Sequence, residues 1–148
     1  MSLAPTSETV HATCVVIDGR AVLLCGRSGV GKSDLALRLL DRGAGLISDD
    51  YTIVRRVKGR LIATAPPSIA GKLEVRGLGL VDWQAESEAT VFLAIALDEP
   101  VERMPAEQPN FRSLAGVPIP EIPLQALEAS APIKVELALR NLANEPAD

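Results

Sequence analysis

Apolar positions along this chain switch between two periods, and the switches mark its elements. Residues 10–17 are rich in β-branched side chains and end at Asp18-Gly19, a pair suited to a two-residue hairpin turn. Residues 20–25 then read as a buried strand. At Lys32 the period lengthens: Leu35, Ala36, Leu39 and Leu40 share one helical face, and Arg42-Gly43 supplies the stop, predicting a helix over 32–41. A short strand over 44–48 follows. A second hairpin comes next, 51–57 and 60–65 around Lys58-Gly59. Pro66-Pro67, Gly71, Gly77 and Gly79 make residues 66–79 a loop with one helical turn. The nearly unbroken apolar run 90–97 is a central strand. Proline-rich residues 99–123 read as a long irregular surface connection, the kind that often serves binding. Ser130 caps a final helix, 132–142, with Ile133, Leu137 and Arg140 on one side. The pattern predicts an α/β fold, a single domain with a mixed, hairpin-rich β-sheet and few helices. It leaves residues 1–9 as a flexible lead and 144–148 as a frayed end.

Composition removes several alternatives. The 148 residues suffice for one domain with a substantial core. One Trp, one Tyr and two Phe, with a net charge of −4, supply neither the stacking platforms nor the positive groove of a nucleic-acid binder. No apolar run approaches the roughly 20 residues of a membrane span, and the first residues lack the charge and apolar core of a signal peptide. The expected location is the cytoplasm. Cys14 and Cys25 have no His or Cys neighbours at metal spacing and read as two reduced core thiols.

Chemistry concentrates at Gly26-Arg27-Ser28-Gly29-Val30-Gly31-Lys32-Ser33, which reads G-x-x-x-x-G-K-S between a strand and an amphipathic helix. In such a P-loop, backbone N–H groups converge on phosphate at a helix N-terminus. The lysine reaches the β- and γ-phosphates, and the hydroxyl ligates Mg²⁺. Asp49-Asp50 follow sixteen and seventeen residues after Ser33. A ten-residue helix spans about 15 Å, so a tight return and a short strand bring the pair back beside Ser33, at the strand end where α/β ligands collect. One carboxylate can organise Mg²⁺ while the other takes a proton from an attacking hydroxyl. The spacing leaves open which does which. No N/T-K-x-D motif for a guanine base is present. A small-molecule kinase or hydrolytic ATPase would want a lid of clustered arginines, and residues 99–123 offer only Arg103 and Arg112. A nucleotide-responsive regulator without turnover is a further alternative.

Together with Leu73-Glu74-Val75-Arg76-Gly77-Leu78-Gly79-Leu80 and with His11 fifteen residues before Gly26, these motifs resemble the catalytic domain of bacterial HPr kinase/phosphorylase. The resemblance runs from His11 to Asp82 and is faint beyond. It implies an ATP- and Mg²⁺-dependent kinase that phosphorylates a serine of HPr, the phosphocarrier of the sugar phosphotransferase system. It also implies removal of that phosphate by phosphorolysis. It would make residues 10–143 a P-loop kinase catalytic domain. Asp50, with Asp49, would be the base in the kinase direction and the acid in reverse. Ser33, Asp50 and Glu74 would be metal ligands. His11 and Lys32 would lie at the transfer site, Arg76 in the signature loop, and Arg103 at another active-site position. Hexamers are the family's usual assembly.

Three departures stand out. Only ten residues precede His11, resembling a short form without an N-terminal domain. His11-Ala12 replaces the family's His-Gly. Residues 124–132 hold no arginine where the family has an Arg-rich segment tied to phosphorolysis and hexamer contacts.

Overall fold

In a computed structural model, which describes residues 5–143, nine strands form one mixed sheet and two more form a separate hairpin. The strands are β1 (Ser7–Val10), β2 (Ala12–Ile17), β3 (Arg20–Cys25), β4 (Gly45–Ser48), β5 (Thr52–Val57), β6 (Arg60–Thr64), β7 (Lys72–Val75), β8 (Gly79–Asp82), β9 (Ala89–Ala96), β10 (Asn110–Leu114) and β11 (Val117–Pro123). The helices are α1 (Lys32–Asp41) and α2 (Ala131–Ala143). The large sheet runs β1-β5-β6-β9-β3-β2-β4, with β11 also on β9 and β10 on β11, while β7 pairs β8 alone.

The apolar runs at the centre are buried on both faces, which is why they alternate so little in polarity. From β2 and β3, Val15, Val22 and Leu24 face a core shared with Leu35 and Leu39 of α1 and Val135 and Leu139 of α2. The intervening Cys14, Val16, Ala21 and Leu23 face a second core. That second face is closed by the sheet curling back on itself, through Val54, Leu61, Ala63 and Ile119 of the hairpins.

Several local features follow from turn chemistry. Asp18-Gly19, Lys58-Gly59 and Ala115-Gly116 each hold two consecutive left-handed residues between antiparallel strands, the signature of type I′ hairpins. The third of these overturns the irregular connection expected over 99–123, because β10 and β11 lie within it. Its prolines are placed so as not to break the ladder. Pro118 and Pro120 oppose Ser113 and Phe111, so these are pairs that exchange no hydrogen bond, and Ile119 between them opposes Arg112. The segment 66–79 does contain one helical turn, Pro67–Ile69, but also β7 and the start of β8. Within the lead expected over 1–9, residues 7–9 belong to β1, which pairs antiparallel with β5. Residues 1–4 and 144–148 lie outside the described residues. On α2, Ile133, Leu137 and Arg140 do share a side, and it is the exposed one.

Strand register places the site. The expected strand over 10–17 breaks at His11, where the chain leaves its partner β5 and enters between β3 and β4. Ala12 opposes Cys25 and Cys14 opposes Ser48. The residue before β2, the loop after β3 and the residues after β4 therefore meet at one end of the sheet. α1 leaves that end without a side-chain cap on its first turn, so its N–H groups stay available to an anion.

Both cysteines are free and buried in the second core. Burial pushes the Cys25 thiol from its usual 9.0 up to about 11, and raises Cys14 as well. At pH 8, the native protein should leave both thiols unmodified by an aromatic disulfide reagent, and unfolding in urea should release both. Rapid native-state reaction at either would contradict the packing. The native thiols hold protons that unfolded thiols lose, so stability should fall as pH rises from about 9 toward 11.

Candidate active site

Asp49 and Asp50 are neighbours in sequence, yet their carboxylates serve different partners. Asp49 is buried, 7% exposed. Its Oδ1 accepts the Ser33 hydroxyl at 2.6 Å and the Thr13 hydroxyl at 2.9 Å, and its Oδ2 accepts the Glu74 backbone N–H at 2.9 Å. Asp50 has a side chain 44% exposed; its Oδ1 lies 2.9 Å from His11 Nε2 and 3.4 Å from Lys32 Nζ. An ionised carboxylate only accepts, so Nε2 of His11 carries the proton of that bond.

The divergence comes from the backbone. Asp50 holds φ 66, in the left-handed region that aspartate tolerates better than most side chains. Three bonds enforce it: Tyr51 N–H to the Asp49 carbonyl at 2.7 Å, the Ser48 hydroxyl to the Tyr51 carbonyl, and Asp50 N–H to Thr13 Oγ1 at 3.0 Å. Thr13 thus donates to one aspartate and accepts from the next. The Tyr51 ring stacks on His11, centroids 4.9 Å apart and planes inclined by 13°.

The loop at 26–33 joins the C-terminal end of β3 to the first turn of α1. Lys32 is buried, and its ammonium group donates to the carbonyls of Gly26 at 2.7 Å and Arg27 at 3.0 Å, with His11 Nε2 at 3.4 Å. At Gly26 an added Cβ would stand 2.5 Å from Asp98 Oδ1, so this position takes no side chain without displacing that carboxylate. The same Asp98 accepts Arg27 N–H, with Oδ2 at 3.0 Å and Oδ1 at 3.3 Å.

A cleft of about 430 Å³ runs past Lys32, Ser33, Asp50, Glu74, Arg76 and Leu127. Ser28, Gly29 and Gly31 line it too, so the loop, both signature-hairpin side chains and one aspartate face a common space. Val30 instead packs beneath the loop, against the helical core. Arg103 is not brought in. It is exposed, and among the described residues its side chain makes no hydrogen bond or ion pair.

The oxygen donors suit a hard cation. Among the described residues no three His, Cys, Asp or Glu side chains cluster as a metal site. Magnesium does not require one, since it keeps waters and takes one or two carboxylates plus phosphate oxygens. Of the expected ligands Ser33, Asp50 and Glu74, Ser33 donates its hydroxyl to Asp49, while Asp50 turns to His11 and Lys32. Thr13, Tyr51 and Asp98 were not among the expected site residues. Asp98 follows the end of β9, a position where ligands of parallel strands collect, and that signal was available. Thr13 and Tyr51 carry no local signature.

A family model described as the HPr Serine kinase C-terminal domain matches residues 2–145. The chain belongs to that family. The HPr kinase/phosphorylase of Bordetella petrii is 36% identical over 154 aligned positions, covering 94% of this chain and 49% of the relative. That of Clostridium tetani is 42% identical over 80 positions, covering 54% of this chain and 26% of the relative. Among solved structures, the Hpr(Ser) kinase/phosphatase from Coxiella burnetii superposes with a TM-score of 0.77 at 31% identity, covering 92% of this chain and 96% of that one. The chain thus spans about half the length, or less, of the curated HPr kinase relatives it matches. The neighbour shares the fold of this chain. No helix among the described residues is long and apolar enough to cross a membrane.

The two aspartates should separate in stability measurements. Asp49→Ala orphans two hydroxyls and a buried N–H, and should cost about 1–3 kcal/mol in urea unfolding. Asp50→Asn keeps a side chain that tolerates φ 66 and should shift stability by less than about 0.5 kcal/mol. Equal losses would contradict the separate environments.

Proposed function

We propose that this chain is a Mg-ATP-dependent protein-serine kinase acting in the cytoplasm on an HPr-type phosphocarrier. The observation that carries the reading is the split aspartate pair: one carboxylate on the P-loop hydroxyl, the next on His11 and Lys32 beside an open cleft.

Residues Gly26, Arg27, Ser28, Gly29, Val30 and Gly31 form the phosphate cradle, and Lys32 can leave the carbonyls of Gly26 and Arg27 to reach the β- and γ-phosphates. Ser33 and Asp49 would hold Mg²⁺, with Glu74 at the cleft wall as a further oxygen donor. When bound, the cation would neutralise phosphate charge. Asp50 is the base, being the more exposed carboxylate and already hydrogen-bonded as an anion. It accepts the seryl proton as that oxygen attacks the terminal phosphorus and ADP departs. His11 donates to Asp50, fixing its orientation, and Tyr51 fixes the plane of the imidazole. Arg76 lines the same cleft and supplies positive charge there. In phosphorolysis the same groups run backward, with protonated Asp50 returning its proton to the seryl oxygen as phosphate attacks and pyrophosphate forms.

Incubating the protein with Mg²⁺, γ-labelled ATP and HPr from the same genome should label one serine of HPr. Asp50→Asn should lower kcat by about 100-fold or more, the usual scale of a lost general base, while ATP affinity changes little. HPr left unlabelled, and phosphoseryl-HPr untouched by added phosphate, would sink the reading.

A further inference from the structure

A second cleft, of about 340 Å³, is lined by His11, Gly26, Arg27, Asp98, Glu99 and Arg112. It opens where the adjacent parallel strands β3 and β9 end, at Cys25 and Ala96, the position at which α/β sheets collect ligands. The Lys32 ammonium, the group that serves the β- and γ-phosphates in such loops, sits on the carbonyls of Gly26 and Arg27 and beside His11. All three residues are walls of this cleft.

The charges in the cleft are unevenly committed. Asp98 accepts the Arg27 N–H and stands 3.7 Å from the Arg27 guanidinium, so that acid and that base occupy each other. Arg112 comes from β10, far from the loop in sequence. Its Nε donates to Glu121 of the paired strand β11, which anchors the side chain. Among the described residues no other hydrogen-bond acceptor meets that guanidinium, so its two terminal amino groups are left for a ligand. The side chain is 34% exposed, enough to reach a ligand and sheltered enough to strengthen the contact. An anchored guanidinium with two amino groups forward matches two oxygens of a phosphate.

We propose that Arg112 binds a phosphate dianion in this second cleft, on the acceptor side of the bound nucleotide, and so helps select the phosphoryl-bearing partner. The assignment rests on the nucleotide reading above. With a nucleoside diphosphate in the loop, the dianion comes from free phosphate or from a phosphoseryl side chain.

The test is calorimetric, on protein saturated with Mg-ADP. Inorganic phosphate and O-phosphoserine are titrated separately into wild type, Arg112→Gln and Arg112→Lys, whose thermal unfolding is recorded alongside. Arg112→Gln should weaken binding by about tenfold or more, the scale of a charge-assisted hydrogen bond. Arg112→Lys should recover part of it, and ADP affinity should stay within about twofold. Weakening of both ligands marks recognition of the phosphate group alone, and weakening of phosphoserine only marks the phosphoseryl source; either supports the assignment. Unchanged affinity of Arg112→Gln for both ligands overturns it, as does absence of binding to the ADP-loaded wild type. Failure of Mg-ADP itself to bind wild type would sink the nucleotide reading and this assignment with it.

Discussion

The buried carboxylate of Asp49 is the constraint on which the rest of the site depends. Its two oxygens take three hydrogen bonds from three separate parts of the chain: Thr13 on β2, Ser33 on α1, and the backbone of Glu74 on β7. A buried carboxylate is tolerated only when it is hydrogen-bonded. These bonds tie the central sheet, the loop over 26–33 and the β7–β8 hairpin to one point. That hairpin pairs with no strand of the large sheet. The bond at Glu74 and the packing of Leu73 near Leu40 and Leu46 are what hold it beside the loop.

Asp50 inherits its freedom from the same arrangement. With Asp49 fixed, and with Thr13 gripping the next N–H, the backbone turns into the left-handed region at Asp50. The second carboxylate is thereby aimed at His11 and Lys32, across the gap where β1 passes into β2. One turn yields a buried carboxylate bonded on both oxygens and a solvent-facing one beside His11 and Lys32. The stretch over 124–132, which carries no arginine, contributes differently: the Arg38 guanidinium of α1 donates to the Ala126 and Glu128 carbonyls, setting Ala126 and Leu127 against Gly31.

Much of this was legible in the chain itself. The limits of α1 follow from the switch to a 3.6-residue period at Lys32 and the stop at Arg42-Gly43. Two of the three type I′ hairpins follow from their X-Gly pairs. The third, Ala115-Gly116, was hidden by prolines that read as strand breakers, although alternate prolines fit the pairs that exchange no hydrogen bond. β7 and β8 were hidden by glycines that shape a turn rather than end structure. The meeting of His11, Lys32 and the aspartates was visible in spacing, whereas which aspartate meets Ser33 was not. That depends on one φ angle, at Asp50, which Thr13 helps to set from a strand 37 residues away, and no local pattern encodes it. Arg103 shows the opposite case: its expected place came from resemblance alone, and it lines neither of the two clefts.

In the proposed division of labour, Asp49 and Ser33 hold the divalent cation while Asp50 handles the proton. This division is tested most directly by titrating Mn²⁺ into the nucleotide-loaded protein and reading the free ion by electron paramagnetic resonance. Asp49→Asn should weaken Mn²⁺ binding by about tenfold or more, and Asp50→Asn by no more than about threefold. The reverse order, with Asp50→Asn releasing the ion and Asp49→Asn retaining it, would overturn that division.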